Sequence, residues 1–280
     1  MKKTLPLSLI VAAGFMLFQL WPASAQQFDE DAPEFYFTRV MYNGGGRRSF
    51  GRLSDVPRFD CANLPPGGGF GGGGSWATDY PASDCKFMWG VERLTGIRVH
   101  PHPNVVRIMD ETLFQYPYLY LLEPGRGMTF SDEEASRLRE YFDRGGFMHV
   151  DDFWGPDQAA DFEFEISKVF PDRSLEELRL SHEVFRTFFE VDTVMQIPNI
   201  SNGRRITRNG GQGPTWQDSR DTQPRIYGIS DDDGRLMVVI TYNSDLGDAW
   251  EWMDDPEYPE KFSGQAYRMG INFIVYAMSH

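Results

Sequence analysis

Acidic side chains follow two predicted strands of this chain at the point where each strand ends. They are Asp151 and Asp152 after residues 147–150, and Asp245, Asp248 and Glu251 after residues 236–242. If the two strands are parallel neighbours, their carboxyl ends face one crevice and these carboxylates converge. Convergent carboxylates raise each other's pKa by repulsion, or hold a hard cation such as Mg²⁺ or Ca²⁺. The alternative is that the aspartates cap the helices that follow the strands.

Aromatic and basic residues complete the predicted crevice. Trp250 and Trp252 alternate with the acidic residues and could stack on a sugar ring, although tryptophans also fill protein cores. An arginine at residue 39 could offset the carboxylates or grip an anionic ligand bidentately. The predicted ligand-binding residues are Arg39, Asp79, Asp151, Asp152, Asp248, Trp250 and Glu251. We identify no cofactor and assign no metal ligand, and a divalent cation in the crevice stays an open alternative.

The motifs of nucleophilic catalysis are absent from the sequence. There is no G-x-S-x-G elbow, and neither Cys61 nor Cys85 lies on a strand-to-helix turn beside a histidine. His100 and His102 have a spacing that could chelate zinc, but prolines interrupt that strand and no third ligand is adjacent. We therefore expect binding rather than catalysis and assign no catalytic residue.

The elements that must position the crevice alternate between strands and helices. A buried strand at residues 118–122 is followed by a helix with a capping box, in which Ser131 is the cap and Glu134 lies three residues later. The next strand covers residues 147–150, and so short a strand–helix–strand unit requires a parallel, right-handed crossover. Further strands are predicted at residues 35–42, 97–100, 225–229 and 236–242, and further helices at residues 87–94, 157–170 and 264–278. Ser174 and Glu177 repeat the capping-box pattern.

These patterns predict an α/β fold. We expect an open sheet of mostly parallel strands covered by helices, with long loops and a C-terminal β-hairpin followed by a helix. Residues 26–280 are predicted to form a single domain, with a flexible glycine-rich loop at 65–75 and an exposed loop at 202–224. Cys61 and Cys85 flank the glycine-rich loop, and a disulfide between them is the simplest expectation, with two free thiols as the alternative.

The first 25 residues have the pattern of a secretory signal peptide. Lys2 and Lys3 precede an apolar run, and Ala23-Ser24-Ala25 is a small-residue cleavage site. We expect a periplasmic or secreted protein with no transmembrane span in the mature chain. The formal net charge of −14 argues against a nucleic-acid partner.

Six motifs resemble the bacterial domain-of-unknown-function family 4159 (DUF4159) and occur in order across the mature chain. They are Phe35–Arg39 (FYFTR), Trp76–Pro81 (WATDYP), Leu113–Tyr120 (LFQYPYLY), Gly145–Phe153 (GGFMHVDDF), Gly247–Trp252 (GDAWEW) and Gly270–Tyr276 (GINFIVY). The resemblance implies a relative of the class I glutamine amidotransferase-like and trehalose-utilisation-like domains. It implies a flavodoxin-like three-layer α/β sandwich, which agrees with the predicted open sheet. It implies no reaction, because neither cysteine matches the amidotransferase nucleophile.

Three functions fit these expectations. The first is an exported domain that binds a small molecule or a protein in the acidic and aromatic crevice. The second is a carboxylate- or divalent-metal-dependent hydrolase acting on a polar substrate such as a glycan. The third is a structural subunit of the cell envelope.

Overall fold

The computed structural model describes residues 32–44, 53–64 and 75–280. The predicted signal peptide and nearly all of the predicted loop at 65–75 lie outside the described residues. Residues Pro33–His280 pack as one unit.

Seven strands form one sheet in the order β2-β1-β3-β4-β7-β6-β5. Their bounds are Thr38–Val40 (β1), Asn104–Val106 (β2), Tyr118–Leu122 (β3), Phe147–Asp151 (β4), Glu176–Glu177 (β5), Arg225–Ser230 (β6) and Leu236–Tyr242 (β7). Strands β2, β1, β3, β4 and β7 are parallel, whereas β6 and β5 run antiparallel to their neighbours. The predicted mostly parallel sheet and the C-terminal hairpin of β6 and β7 are confirmed.

Six α-helices cover the sheet. Their bounds are Ala82–Thr95 (α1), Asp132–Asp143 (α2), Gly155–Val169 (α3), Ile200–Arg208 (α4), Leu246–Glu251 (α5) and Glu260–Ser279 (α6). Helices α1, α5 and α6 pack with one another on one face, and α2 packs with α3 on the other. The result is a three-layer α/β arrangement, as the sequence predicts.

Side chains on the central strands alternate between two cores because successive residues of a strand point to opposite faces. Tyr118 and Tyr120 belong to the core beneath α1, α5 and α6, whereas Leu119 and Leu121 belong to the core beneath α2 and α3. All four are fully buried. This alternation decides which polar side chains share a face near the site.

The unit from β3 through α2 to β4 forms as predicted. The Ser131 hydroxyl accepts from the backbone N–H of Glu134, whose carboxylate accepts from the N–H of Ser131 in return. The chain leaves the helix through Gly145, which has a φ of 97° that favours glycine. Strands β3 and β4 pair in parallel from Tyr118 beside Phe147 to Leu122 beside Asp151.

Three predicted elements differ from the structure. Residues 97–100 make only a single bridge at Val99, and the strand lies at Asn104–Val106, after the prolines that interrupt the run. The predicted cap at Ser174 starts no helix, because Glu176–Glu177 pairs with β6 instead. The predicted loop at 202–224 begins inside α4, whose cap is the Asn199 side chain.

A disulfide joins Cys61 to Cys85, which lies in the first turns of α1. Within the described part of the chain, no helix is long and apolar enough to cross a bilayer.

Candidate functional site

Seven carboxyl groups lie at or beside the carboxyl ends of β3, β4 and β7. They are Asp79, Glu123, Asp151, Asp152, Asp245, Asp248 and Glu251. Strands β4 and β7 are parallel neighbours, which confirms the condition on which the predicted convergence depends. Six of the seven residues are between 0 and 8% exposed, and Asp79 is partly buried. The site is therefore a largely buried group of carboxyl groups, here called the acidic pocket.

The backbone of this pocket is unusual at four places. Asp79, Glu123, Asp152 and Asn243 have φ values of 62°, 47°, 54° and 54°, and they are the only non-glycine residues of the described chain with a positive φ. Aspartate and asparagine tolerate this left-handed region well, whereas a glutamate adopts it rarely. Such conformations persist only where the surrounding structure enforces them, and they are enriched at functional sites.

Asp151 is held by four donors and faces helix α5. Its Oδ2 accepts from the Tyr120 hydroxyl at 2.8 Å and from the backbone N–H groups of Leu246 and Gly247 at 2.9 and 3.1 Å. Its Oδ1 accepts from the Thr241 hydroxyl at 2.5 Å. Burial raises the pKa of Asp151 to about 7, and the hydrogen bonds act in the opposite direction. Asp151 therefore fixes the start of α5 and has little capacity for a ligand.

Glu123 and Asp152 form a pair of buried acids. The Glu123 carboxyl accepts from the Thr78 hydroxyl at 3.1 Å and contacts the Arg126 guanidinium at 3.1 Å. The Asp152 Oδ1 accepts from the Trp154 indole N–H at 2.6 Å. Burial and the nearby Asp152 charge raise the pKa of Glu123 to about 8, and burial also raises the pKa of Asp152. Two acids in one enclosed space favour a state in which they share a proton.

Asp79, Asp248 and Glu251, here called the acidic cluster, bring ligand oxygen atoms within 4.8 Å of one another. The Asp79 Oδ2 is buried and has no hydrogen-bond partner. Burial and repulsion from Asp248 and Glu251 raise the pKa of Asp79 strongly. Burial also raises the pKa of Asp248 to about 7, although its Oδ2 accepts from the N–H of Ile200 at 2.7 Å. The three groups have the donor set of a hard-cation site.

Gly247 allows Asp79 to approach helix α5. A Cβ atom at residue 247 would lie 2.7 Å from the Asp79 Oδ2 and 3.1 Å from the Tyr120 hydroxyl. Real Cβ atoms do not come so close to another atom, so any larger residue would displace the Asp79 carboxylate. The absence of a side chain at this position is therefore part of the geometry of the cluster.

The structure does not support the prediction that Arg39 grips a ligand. Its side chain is fully buried, and all five N–H donors of the guanidinium are used within the protein. Two go to the Asp84 carboxylate at 3.2 and 2.5 Å, two to the carbonyls of Trp76 and Thr78 at 2.9 and 2.6 Å, and one to the Ser83 hydroxyl at 3.0 Å. Arg39 therefore holds the segment that carries Asp79.

Trp250 is a core residue rather than a stacking surface for a ligand. It has no exposed area, and its ring stacks on Phe87 with the centroids 4.1 Å apart. The Trp252 ring is partly buried under the guanidinium of Arg204, which lies 4.9 Å from its centroid. The crevice therefore offers carboxylates without the predicted aromatic platform.

The structure brings together the predicted acids Asp79, Asp151, Asp152, Asp248 and Glu251, and it places Arg39 and Trp250 in supporting positions. The predicted ligand-binding residues omit Glu123, and they omit Asp245 although Asp245 is among the carboxylates expected to converge. Glu123 follows the buried strand β3 directly, so the rule that points to Asp151 could also have found it. Asp245 caps α5 by accepting from the N–H of Asp248 at 2.8 Å, which is the helix-cap alternative raised above.

Comparisons with known proteins place this chain in a family. No curated protein gives a significant match to the chain. The family model described as "Domain of unknown function (DUF4159)" matches residues 63–278, a stretch that contains every carboxylate of the pocket. The chain therefore belongs to the DUF4159 family.

Proposed function

We propose that this chain is an exported binding domain whose acidic cluster takes a hard divalent cation. Asp79, Asp248 and Glu251 would supply carboxylate ligands, and water would complete the coordination shell. The observation that carries this proposal is the buried Asp79 Oδ2, which has no hydrogen-bond partner and lies beside two other carboxylates.

The charge balance of the pocket supports a cation. Among the residues that the structure describes, no lysine, arginine or histidine forms an ion pair with Asp79 or Asp248. Buried carboxylates without such a partner must either take up protons or bind a cation, because an isolated buried charge is strongly unfavourable. The raised pKa of Asp248, about 7, means that near neutral pH a cation would compete with one proton for this carboxylate.

Burial limits the size of the ligand. Asp248 is 8% exposed and Glu251 is 5% exposed, so a sugar ring or a peptide cannot cover these carboxylates without rearrangement. A single metal ion needs much less space than a sugar ring or a peptide. The closed geometry therefore favours a small hard cation over the larger ligands considered from the sequence.

The choice of cation follows from the ligand atoms. Carboxylate oxygens suit Ca²⁺, Mg²⁺ and Mn²⁺, whereas zinc prefers sites that include nitrogen or sulfur. Ligands across a Ca²⁺ ion are separated by about 4.6–5.2 Å, given its bonds of 2.3–2.6 Å, and the cluster is compatible with that span. A cation here would join the Asp79 segment to α5 and so stabilise the fold as well.

Export remains part of the proposal. The signal-peptide pattern of the first 25 residues supports it, and the Cys61–Cys85 disulfide is typical of an oxidising compartment. A flavodoxin-like arrangement and a relationship to the class I glutamine amidotransferase-like domains are supported by the sequence motifs and by the mostly parallel sheet.

A hydrolase is the second candidate, and the Glu123–Asp152 pair is the observation that favours it. Two neighbouring acids, of which Glu123 has a pKa raised to about 8, are the residue types that general acid and base catalysis uses. Both residues are nearly buried, so a substrate would need an opening of the pocket. For this reason we place binding first.

Thermal unfolding of the mature protein with Ca²⁺, Mg²⁺, Mn²⁺, Zn²⁺ or EDTA tests the proposal. A cation that binds the native state alone stabilises it by about 2.7 kcal/mol at a concentration 100 times its Kd. We expect Ca²⁺, Mg²⁺ or Mn²⁺ to raise the melting temperature, and Asp79→Asn to remove that response. No response to any cation in the wild-type protein would contradict the proposal.

The matched control is Glu165→Gln, because Glu165 is also buried but lies on α3 and pairs with Lys168. That variant should keep the cation response whatever its own stability. An equal loss of response in both variants would assign the effect to general destabilisation. Release of product from a glycan library by the wild type, abolished in Glu123→Gln, would move the hydrolase to first place.

A further inference from the structure

A buried chain of hydrogen bonds crosses the central strands and ends at Asp151. The Tyr118 hydroxyl lies 3.1 Å from the His149 Nδ1, and the His149 Nε2 lies 3.1 Å from the Thr241 Oγ1. The Thr241 Oγ1 lies 2.5 Å from the Asp151 Oδ1. All four residues have no exposed area. All four side chains lie on one face of the sheet, because side chains two positions apart on a strand point to the same face. Tyr118 pairs with Phe147, two residues before His149, and His149 pairs with Val239, two residues before Thr241.

The direction of this chain can be deduced from its donors and acceptors. Within the described residues, the His149 Nδ1 is the only hydrogen-bond partner of the Tyr118 hydroxyl, so the hydroxyl proton must point to it or remain buried and unpaired. Burial lowers the pKa of His149 to about 3, so the ring is neutral and carries one proton. Because Nδ1 accepts, that proton is on Nε2.

The tautomer of His149 fixes the direction of the remaining hydrogen bonds. The His149 Nε2–H donates to the Thr241 Oγ1, so the proton of Thr241 must go to another acceptor. The two candidates are the Asp151 Oδ1 at 2.5 Å and the Val150 carbonyl at 3.0 Å, and the shorter contact is the one to Asp151. Each group therefore donates toward Asp151, which is the terminal acceptor.

We infer that Tyr118, His149 and Thr241 are positioning residues for the acidic pocket, which act by orienting the Asp151 carboxylate toward helix α5. Asp151 uses its second oxygen to hold the N–H groups of Leu246 and Gly247, the first residues of α5.

The same short helix carries Asp248 and Glu251, which are two members of the acidic cluster. A change at Thr241 is thus transmitted through Asp151 to the ligand carboxylates, although Thr241 touches neither of them. The effect on cation binding rests on the proposed function, whereas the direction of the chain does not.

The first test reads the His149 tautomer in the wild-type protein by long-range ¹H–¹⁵N correlation of the ring nitrogens. The protein contains five histidines, so the signal that disappears in His149→Gln is the one that belongs to His149. We expect a neutral ring with the proton on Nε2. A ring with the proton on Nδ1, or a doubly protonated ring, would overturn the inference without any variant having to fold.

The second test compares Thr241→Val with Thr241→Ser in a calorimetric titration with Ca²⁺ and Mn²⁺. Valine keeps the shape but removes the hydroxyl, and we expect the cation affinity to fall about tenfold. Serine keeps the hydroxyl, and we expect the wild-type affinity. Equal affinity in the wild type and Thr241→Val would overturn the inference alone. A wild type that binds neither of these ions, nor Mg²⁺ in the same titration, would instead overturn the proposed function. The His149 tautomer would still decide the direction of the hydrogen-bond chain.

Discussion

Two neighbouring regions of this protein bury charge in opposite ways. Arg39 and Asp84 form an ion pair without exposed area, and every donor of the arginine is used by the protein. In the acidic cluster, the Asp79 Oδ2 is buried but no donor reaches it. Only a few residues of chain separate Asp79 from Asp84.

The difference separates a structural role from a binding role. A buried ion pair whose donors and acceptors are all satisfied holds the backbone in one arrangement and has no capacity for another partner. A buried carboxylate without a partner destabilises the empty protein and gains the most from a cation or a proton. The three predictions below test this difference, from the largest expected effect to the smallest.

Replacement of Arg39 by methionine should cause the largest loss of stability. The change leaves the Asp84 carboxylate and two carbonyl groups buried without their partner, and such a loss costs about 3–5 kcal/mol. Urea unfolding of Arg39→Met measures it. The control is Arg98→Met, because the Arg98–Glu34 pair is about half exposed and such pairs contribute at most about 1 kcal/mol. Equal losses in the two variants would contradict a structural role for Arg39.

Without divalent cations, the protein should lose stability as the pH rises from about 5 to 8. The pKa of Asp248 is raised to about 7 in the folded protein, so the native state binds more protons than the unfolded chain in this range. The stabilising contribution is complete below the unfolded pKa near 4 and disappears as the pH passes 7. We expect a fall of about 2–4 kcal/mol, measured by urea unfolding in EDTA.

Two comparisons sharpen this pH prediction. Asp248→Asn cannot titrate at residue 248 and should make the fall in stability smaller, while Asp151 and Glu123, whose pKa values are also raised, still contribute to it. A saturating cation should also make the fall smaller, because the cation replaces the proton. A stability that rises from pH 5 to 8 in EDTA would show that the carboxylates of the acidic cluster are ionised without a cation. The acidic cluster would then not differ from the Arg39–Asp84 pair in the way described.

Gly247→Ala should weaken cation binding with a small effect on stability. The new Cβ would displace the Asp79 carboxylate, and we expect about a tenfold weaker Kd, which corresponds to about 1.4 kcal/mol. Gly264→Ala in α6 is the matched control, because no atom lies within 4 Å of its new Cβ. That variant should bind the cation normally and gain about 0.5–1 kcal/mol from helix propensity. Normal cation binding by Gly247→Ala would remove Asp79 from the site.

Local sequence patterns predicted the centre of the fold. The capping box at Ser131 and the apolar runs around it are signals within a few residues, so β3, α2 and β4 could be placed from the sequence. Helix α4 was missed because its residues are polar and glycine-containing. Tertiary contacts support it, including the bond from the Ile200 N–H to Asp248. Local propensity does not contain such information.

The candidate site was predicted in part for a similar reason. The rule that strand ends converge brought Asp151, Asp152 and Asp248 to one place, because it depends only on the direction of the strands. It could not show that Arg39 would use all its donors on the Trp76–Asp84 segment, or that Trp250 would stack on Phe87. Those outcomes depend on residues distant in sequence.

The last strand of the sheet has a consequence for how the protein behaves in a crowded solution. An open sheet edge can add strands from other molecules, which is a common start of aggregation. Here the edge strand β5 consists of Glu176 and Glu177 alone, and both side chains are exposed. A second copy that docked against this edge would bring carboxylates together and find only two residues to pair with. The brevity and the charge of β5 thus protect the solubility of the native protein at high concentration.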